Sequence, residues 1–444
     1  MPKIAFMGAG STVFAKSILG DCLLSEPLRD SHIALYDIDG KRLRDSKMML
    51  DNLNENINEG RAKITAHLGP RSRKAALRGA DYVVNAIQVG GYPATLVDFE
   101  VPKKYGLRQT IGDTLGIGGI FRALRTIPVV LEFARDMEEV CPDAWFLNYV
   151  NPMAMITGAL LLATPIRAVG LCHSVQGCAR GLLRRVGLLE KVKKLQWKIA
   201  GINHQAWLLE ITDGGKDLYP EIKRRAAKIN RQARRKGGEK HYDMVRFEIM
   251  LRFGYYVTES SEHSAEYMPY WIKSQFPELI EEFNIPLDEY PRRCVAQIEG
   301  WERRREELVN NKKLTHRRTG EYGSYIMEAM ETDVPFRIGG NVLNDGLITN
   351  LPRRACVEVS CLVDRNGVQG CYVGDLPEQC AAINRTNINV QLLTIEAALT
   401  GKKDHIYQAA MLDPHTASEL TIDQIVSLCD DLIEAHGPML PKFE

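Results

Sequence analysis

Two short segments of this chain set a metal-binding residue type at the end of a strand. Cys172-His173 follows the run Val169-Gly170-Leu171, and Asn203-His204 follows Lys198-Ile199-Ala200. Ligands of parallel sheets bind beyond the carboxyl ends of strands. A Cys172 thiolate and a His204 imidazole can together hold a divalent ion. Positions left open would take substrate oxygens, with the ion acting as a Lewis acid. Spacing alone equally permits an unrelated Cys and His. A third segment, Glu259 to Tyr270, reads Glu-Ser-Ser-Glu-His-Ser-Ala-Glu-Tyr-Met-Pro-Tyr. On a helix, His263 shares a face with Tyr267 and also with Glu259. Such a density of ionisable groups suits acid-base catalysis, and also an ordinary solvated helix.

Two further segments could hold a ligand by backbone and amide groups. Gly8-Ala9-Gly10-Ser11-Thr12 lies between a short apolar strand and a helix. Glycines there let backbone N–H groups approach a pyrophosphate, and the helix N-terminus adds partial positive charge. Val13 stands where a third glycine would complete the usual fingerprint. Asp37, closing the second strand, would accept ribose hydroxyls and repel a 2′-phosphate, favouring NAD over NADP. Asn148-Tyr149-Val150-Asn151-Pro152 ends another strand. Its amides could bind sugar hydroxyls or simply cap a helix. Thr110 to Pro128 is rich in glycine, with Asp113, Arg122 and Arg125, and reads as a ligand loop or as an irregular one.

The elements that would position these residues alternate strand and helix. Ile4–Met7, Ile33–Tyr36, Lys63–Ala66, Tyr82–Ala86, Trp145–Tyr149 and Arg167–Leu171 read as strands, with a helix from Lys41 to about Asn58. That order predicts an α/β fold with a doubly wound, Rossmann-like parallel sheet at the N-terminus. After about residue 195 the pattern changes. Trp197–Ile202 and Ala206–Ile211 read as paired strands, followed by helices such as Asp243–Phe253 and Ile326–Glu331. Cys356–Val359 and Val368–Val373 read as strands, and Glu378–Leu399 and Ile422–Ala435 as helices. Lys223 to Lys240, with nine Lys or Arg, reads as a solvated helix and loop, and Arg303 to Arg318 as a charged helix. The predicted organisation is a dinucleotide-binding domain over 1–195 and an α+β domain over 196–444.

Composition narrows the function classes. The chain has 444 residues, 45% of them hydrophobic, and a net charge of +1. Such a balance gives no field to hold nucleic acid or an anionic membrane. The longest apolar run, Met155 to Pro165, falls short of the ~20 residues that span a bilayer. The first strand begins at Lys3, so no export signal is expected. Ten cysteines without a CxxC pair point to a reducing, cytoplasmic compartment.

Taken in order, these segments resemble the NAD- and metal-dependent glycosidases of glycoside hydrolase family 4, and within it the bacterial α-galactosidases. The resemblance runs through Phe6–Phe14, Ala34–Asp39, Gln88–Tyr92, Gly112–Gly116, Leu147–Met155, Gly170–Gly177, Gly201–His204, Val257–Tyr267, Asn344–Ile348 and Asp413–Ala417. It covers nearly the whole chain, and the missing third glycine does not disturb it. It implies a lactate/malate dehydrogenase-like architecture and an unusual hydrolysis outside the two-carboxylate scheme. NAD would take hydride from sugar C3, a base would take the C2 proton, the aglycone would leave, water would add, and hydride would return.

The resemblance also implies roles. Cys172 and His204 match the metal ligands, with manganese the usual ion. His173 stands where another branch carries an Asp acid. Asn151, with Asn148 beside it, matches the substrate-binding amide, and Asp113 an acidic position that strengthens the base. The base falls at His263 or Tyr267, with Glu262 a more distant candidate. A His needs less tuning for that task than a Tyr. α-Galacturonides and α-glucosides are the alternative substrates. A lactate/malate-type dehydrogenase and an NAD-binding redox sensor are the competing classes, and neither would use Cys172, His204 and Asn151 together. Homodimers or homotetramers are expected, as is dependence of activity on a reductant.

Overall fold

Alternation along the first strand sends Ile4 and Phe6 to one face of a sheet and Ala5 and Met7 to the other, and all four are fully buried. A strand buried on both faces must be apolar throughout, which is why its run reads as continuous. The computed structural model describes residues 1–444. Its strands are β1 (Lys3–Met7), β2 (His32–Asp37), β3 (Lys63–Leu68), β4 (Tyr82–Asn85), β5 (Trp145–Asn148) and β6 (Arg167–Gly170). They continue with β7 (Leu195–Ile202), β8 (Gln205–Asp213), β9 (Lys216–Asp217), β10 (Tyr256–Val257), β11 (Phe336–Leu343), β12 (Cys356–Asp364) and β13 (Gly367–Gly370). The first six lie in the order 3-2-1-4-5-6, all parallel. That is the doubly wound order of dinucleotide-binding sheets, whose ligand crevice opens at the strand carboxyl ends.

The same sheet carries on past β6 through antiparallel β11, β12, β7, β8 and β10. One row crosses the joint: Gly170 pairs with Asn341, Asn341 with Glu358, and Glu358 with Gly201. A Cβ on Gly170 would lie 2.6 Å from Thr157 Oγ1 and 2.7 Å from Met153 S, so the row closes only around a glycine. Helices cover both faces, and no helix is long and apolar enough to cross a membrane.

Local departures from the expected elements have physical causes. Gly116–Val140 is one 25-residue helix, not an irregular glycine loop. Gly118 and Gly119 sit inside it because its first turn packs on the preceding loop. Cβ atoms there would lie 2.4 Å from Gly112 O and 2.6 Å from Thr114 C. The charged stretch after residue 301 is helical only over Trp301–Leu308. Beyond it, the carbonyls of Val309, Lys312 and Leu314 accept from the Asn52 and Asn56 side-chain amides, which replace helical bonds. Within Glu259–Tyr270 only Ser261–Glu266 is helical, started by Ser260, whose hydroxyl accepts from the His263 N–H at 3.3 Å.

Candidate active site

At the carboxyl end of β6 the chain turns through Leu171 and Cys172 into the helix Ser174–Arg185. Across the joint, β7 and β8 form a tight hairpin with His204 at its tip, at φ +62°. Glu259, between β10 and the helix Ser261–Glu266, also takes a positive φ, +65°. Non-glycine residues rarely adopt that region, and such conformations gather at functional sites. One ligand atom each from Cys172, His204 and Glu259 lies within 4.8 Å of the others. Glu259 Oε2 stands 3.6 Å from His204 Nε2.

A thiolate, an imidazole and a carboxylate are a fitting donor set for a first-row divalent ion. The electrostatics agree. Burial works against a charged His204, yet the Cys172 thiolate and the Glu259 carboxylate push its pKa up to about 10. The cluster is therefore short of positive charge, which a divalent cation would supply.

Tyr267 and His263 flank His204 differently. The Tyr267 hydroxyl and His204 Nδ1 are 3.2 Å apart, an arrangement that orients a ligating imidazole from behind. Burial holds the Tyr267 hydroxyl well above the ordinary phenol range, so it keeps its proton. His263 meets His204 edge to face, with ring centroids 4.7 Å apart. Its Nδ1 is 2.8 Å from Ser260 Oγ, and its Nε2 is 3.8 Å from Asp113 Oδ1. Burial acts to raise the Asp113 pKa, but His263 and the Arg122 guanidinium hold it well below the usual carboxylate range. Asn151 Nδ2 donates to Asp113 Oδ2 at 3.1 Å, and the Asn151 carbonyl accepts from Arg122 Nε at 3.0 Å. Asp113, Asn151, Arg122 and His263 thus form one wall beside the Cys172–His204–Glu259 cluster.

His173 belongs to the opposite rim. Its Nε2 is 2.6 Å from Glu321 Oε2, and its ring packs against Tyr149 and Tyr322. The hydrogen bond to Glu321 raises the His173 pKa above its ordinary value, against partial burial.

The glycine turn sits at the same end of the sheet. Gly8 has φ +88°, and a Cβ there would lie 2.7 Å from the Ala86 carbonyl, so glycine is required. The Gly8 and Ala9 N–H groups donate to Tyr36 O, and the Gly10 N–H donates to Asp37 Oδ2 at 2.6 Å. Ser46 Oγ donates to Ala9 O and lies 2.9 Å from Thr12 Oγ1, locking the turn to the helix Gly40–Asn58. Ser11 precedes the helix Thr12–Leu24 without capping it, so its first-turn N–H groups face the turn free of a side-chain acceptor.

Two expectations change. Asn148 is buried and spends its side chain inside the protein: Nδ2 donates to Val150 O and Thr157 Oγ1, and Oδ1 accepts from Asn85 and Val150 N–H. It holds the strand end and has no amide left for a sugar. Glu262 turns away to Arg293, at 2.8 Å. Sequence reasoning missed Glu259 as a cluster member, Glu321, and Glu358. The fully buried Glu358 accepts from Asn341 Nδ2 at 3.1 Å, and burial pushes its pKa up to about 7. A glutamate inside the apolar run Cys356–Val359 was the available signal.

Residues 3–188 match the sequence model of the family 4 glycosyl hydrolases, and residues 199–416 match that of the family's C-terminal domain. The chain belongs to glycosyl hydrolase family 4. Among relatives, an alpha-galactosidase of Bacillus subtilis (strain 168) is 62% identical over 445 residues, covering 100% of both chains. Two solved structures superpose on this chain. A putative glucosidase from Bacillus subtilis gives a TM-score of 0.87 at 27% identity, over 97% of this chain and 99% of that one. A 6-phospho-alpha-glucosidase from gut microorganisms, solved in complex with NAD and Mn2+, gives 0.80 at 21% identity over 100% of both.

Proposed function

We propose that this family 4 glycosidase hydrolyses terminal α-galactosides by redox-assisted elimination, using NAD and a divalent cation, with Mn2+ the fitting ion. The observation that carries the galactoside assignment is full-length identity of 62% to a chain named alpha-galactosidase. The mechanism is supported by a Cys172–His204–Glu259 cluster and a dinucleotide-type turn that share the carboxyl end of the parallel strands. It is supported too by a similar fold crystallised with NAD and Mn2+.

In this reading residues 1–195 hold the dinucleotide and 196–444 complete the sugar site. Gly8–Thr12 would face the pyrophosphate and Asp37 the ribose. Cys172, His204 and Glu259 would hold the cation. Bound NAD supplies a hydride acceptor, and later a donor, for sugar C3, while the cation supplies positive charge that makes the C2 proton acidic.

The remaining chemistry belongs to the side chains. Asn151 and Asp113 orient the sugar hydroxyls. His263 accepts the C2 proton, because Tyr267 keeps its own and supports His204 instead. His173, whose bond to Glu321 favours the protonated imidazole, donates a proton to the leaving glycosidic oxygen. Water then adds at C1 and gives one proton back to His173, His263 returns its proton to C2, and the C3 alcohol is restored by return of the hydride and proton it gave up. Bond changes sum to hydrolysis, with NAD unchanged.

The cysteines are all unpaired, which supports a reducing, cytoplasmic setting, and we expect a homodimer or homotetramer there. The test is release of p-nitrophenol from its α-galactoside with NAD+, Mn2+ and dithiothreitol each supplied or withheld. Turnover needing NAD+ and Mn2+ without net NADH supports the reading. No turnover in the full mixture removes it. Turnover of the α-galacturonide or α-glucoside instead moves the substrate assignment, and net NADH formation favours a dehydrogenase.

A further inference from the structure

The helix Ser261–Glu266 carries His263, and the loop Arg108–Asp113 carries Asp113. Nothing in the short helix or the loop alone would hold those two side chains 3.8 Å apart. A buried carboxylate joins them at the residue next to Asp113. Glu266, three residues after His263, accepts the backbone N–H groups of Thr110, Ile111 and Gly112. The Ile111 bond is 2.9 Å, and Gly112 N lies 3.2 Å and 3.1 Å from the two oxygens. Three successive amides converging on one anion form a nest of the kind that elsewhere binds phosphate. Here it is filled from within, by a side chain only 3% exposed.

Other bonds also hold the loop, one of them from the same helix. His415 Nε2 is 2.8 Å from Arg108 O, the Gln109 carbonyl accepts from Asp288 N, and the Thr110 hydroxyl donates to Glu262 O. Glu266 alone reaches the residue next to Asp113 from the helix that bears His263. Gly112 sits at φ +54°, a conformation the carboxylate fixes through its N–H.

We infer that Glu266 is a positioning residue for catalysis: its carboxylate sets the register of Asp113 against His263 and Asn151. This rests on the roles given to Asp113 and His263 above. Oε1 accepts from all three amides, and Oε2 shares the Gly112 N–H. Glu266→Gln would set an NH2 group against the Gly112 N–H and leave that amide only its longer contact to the remaining oxygen. The displacement of Asp113 would be well under a residue length, and shifts of that size cost up to about 100-fold in rate.

The experiment is a double-mutant cycle in the full-length, NAD- and Mn2+-loaded enzyme: wild type, Glu266→Gln, Asp113→Asn and the pair. We expect Glu266→Gln to lower kcat by about 10–100-fold. NADH and Mn2+ affinities should stay within about twofold, because neither the turn nor the metal cluster touches Glu266. In the Asp113→Asn background Glu266→Gln should cost less than about threefold more, because the group it positions is already gone. A kcat within twofold of wild type overturns the inference. So do fold-losses that multiply in the pair. Glu266→Asp, which keeps the charge but shortens the reach, runs the same cycle if the amide variant does not fold. If both unfold, Glu266 is a fold-holding residue and the inference fails. An inactive wild type on every glycoside tried would instead count against the proposed function.

Discussion

His173 Nε2 and Glu321 Oε2 stand 2.6 Å apart, joining the start of one helix to the start of another across the mouth of the site. Glu321 is itself fixed by a bond from its N–H to Thr319 Oγ1, and Thr319 donates to the buried Asp21 of the dinucleotide-binding half. The Glu321 hydrogen bond raises the His173 pKa, so the protonated imidazole persists to higher pH than a free one. The acid function proposed for it would be present below the ordinary histidine pKa and lost as pH rises through the raised value. Glu321→Gln should therefore move the alkaline limb of the kcat profile to lower pH. The expected loss is about tenfold or more near pH 8 and smaller near pH 6. A profile that falls evenly at all pH values would disconnect the pair from proton transfer.

Metal affinity should track the Cys172–His204–Glu259 cluster. Chelation should abolish turnover, and Mn2+ should restore it. Cys172→Ser and His204→Asn should each weaken Mn2+ binding by about 100-fold or more, since each removes a direct ligand, while a ligand-supporting change such as Tyr267→Phe should cost about tenfold. Titration of the chelated proteins with Mn2+ reads all three. Unchanged binding in Cys172→Ser would remove the thiolate from the site.

Asp37 accepts the Gly10 N–H at 2.6 Å, and the proposed function gives it the ribose hydroxyls. Asp37→Ser removes a charged acceptor, worth about 1.5–3 kcal/mol, so NADH should bind about 10–100-fold more weakly. The same change removes the repulsion of a 2′-phosphate. The NADPH to NADH affinity ratio should rise, as read by fluorescence titration of the reduced dinucleotides.

Glu358 ties stability to pH. Burial raises its folded pKa from 4.5 to about 7, so the native state holds this proton more tightly than the unfolded chain. That contribution is full below about 4.5 and is lost as pH rises through about 7. Glu358→Gln mimics the protonated form. In chelator-treated protein its melting temperature relative to wild type should climb by several degrees between about pH 5.5 and pH 8.5, at ~1.4 kcal/mol per pKa unit. A difference that stays level with pH would count against a carboxyl titrating in that range.

Much of the dinucleotide-binding half was legible because its signals are local. The glycine turn, the apolar strand β1 and Asp37 at the end of β2 lie within a few residues of the elements that use them. Cys172 and His204 could be picked out by their places after strands, but their meeting depends on β11 and β12, more than 130 residues further on. Glu259 was harder to see. It lies outside the helix that carries His263, at a positive φ that helical periodicity does not encode. Asn148 and Asn151 look alike in sequence, since both sit at one strand end, and only packing against Thr157 and Asn85 separates them. The helix Gly116–Val140 was hidden by its glycines and Pro128, whose weak helix propensity is overridden by close backbone packing.

The joint between the parallel and antiparallel parts of the sheet is narrow: Gly170 with Asn341 on one side, Glu358 with Gly201 on the other. Both pairs sit at the end of the sheet that bears the site, two residues before Cys172 and three before His204. The long β11–β12 ladder fills the space between them. The ladder does not stand alone, because both apolar cores also run from one half into the other. Cys172 and His204 thus follow strand ends that belong to one sheet and one pair of shared cores, so the gap between them is set by the body of the fold and not by a free loop.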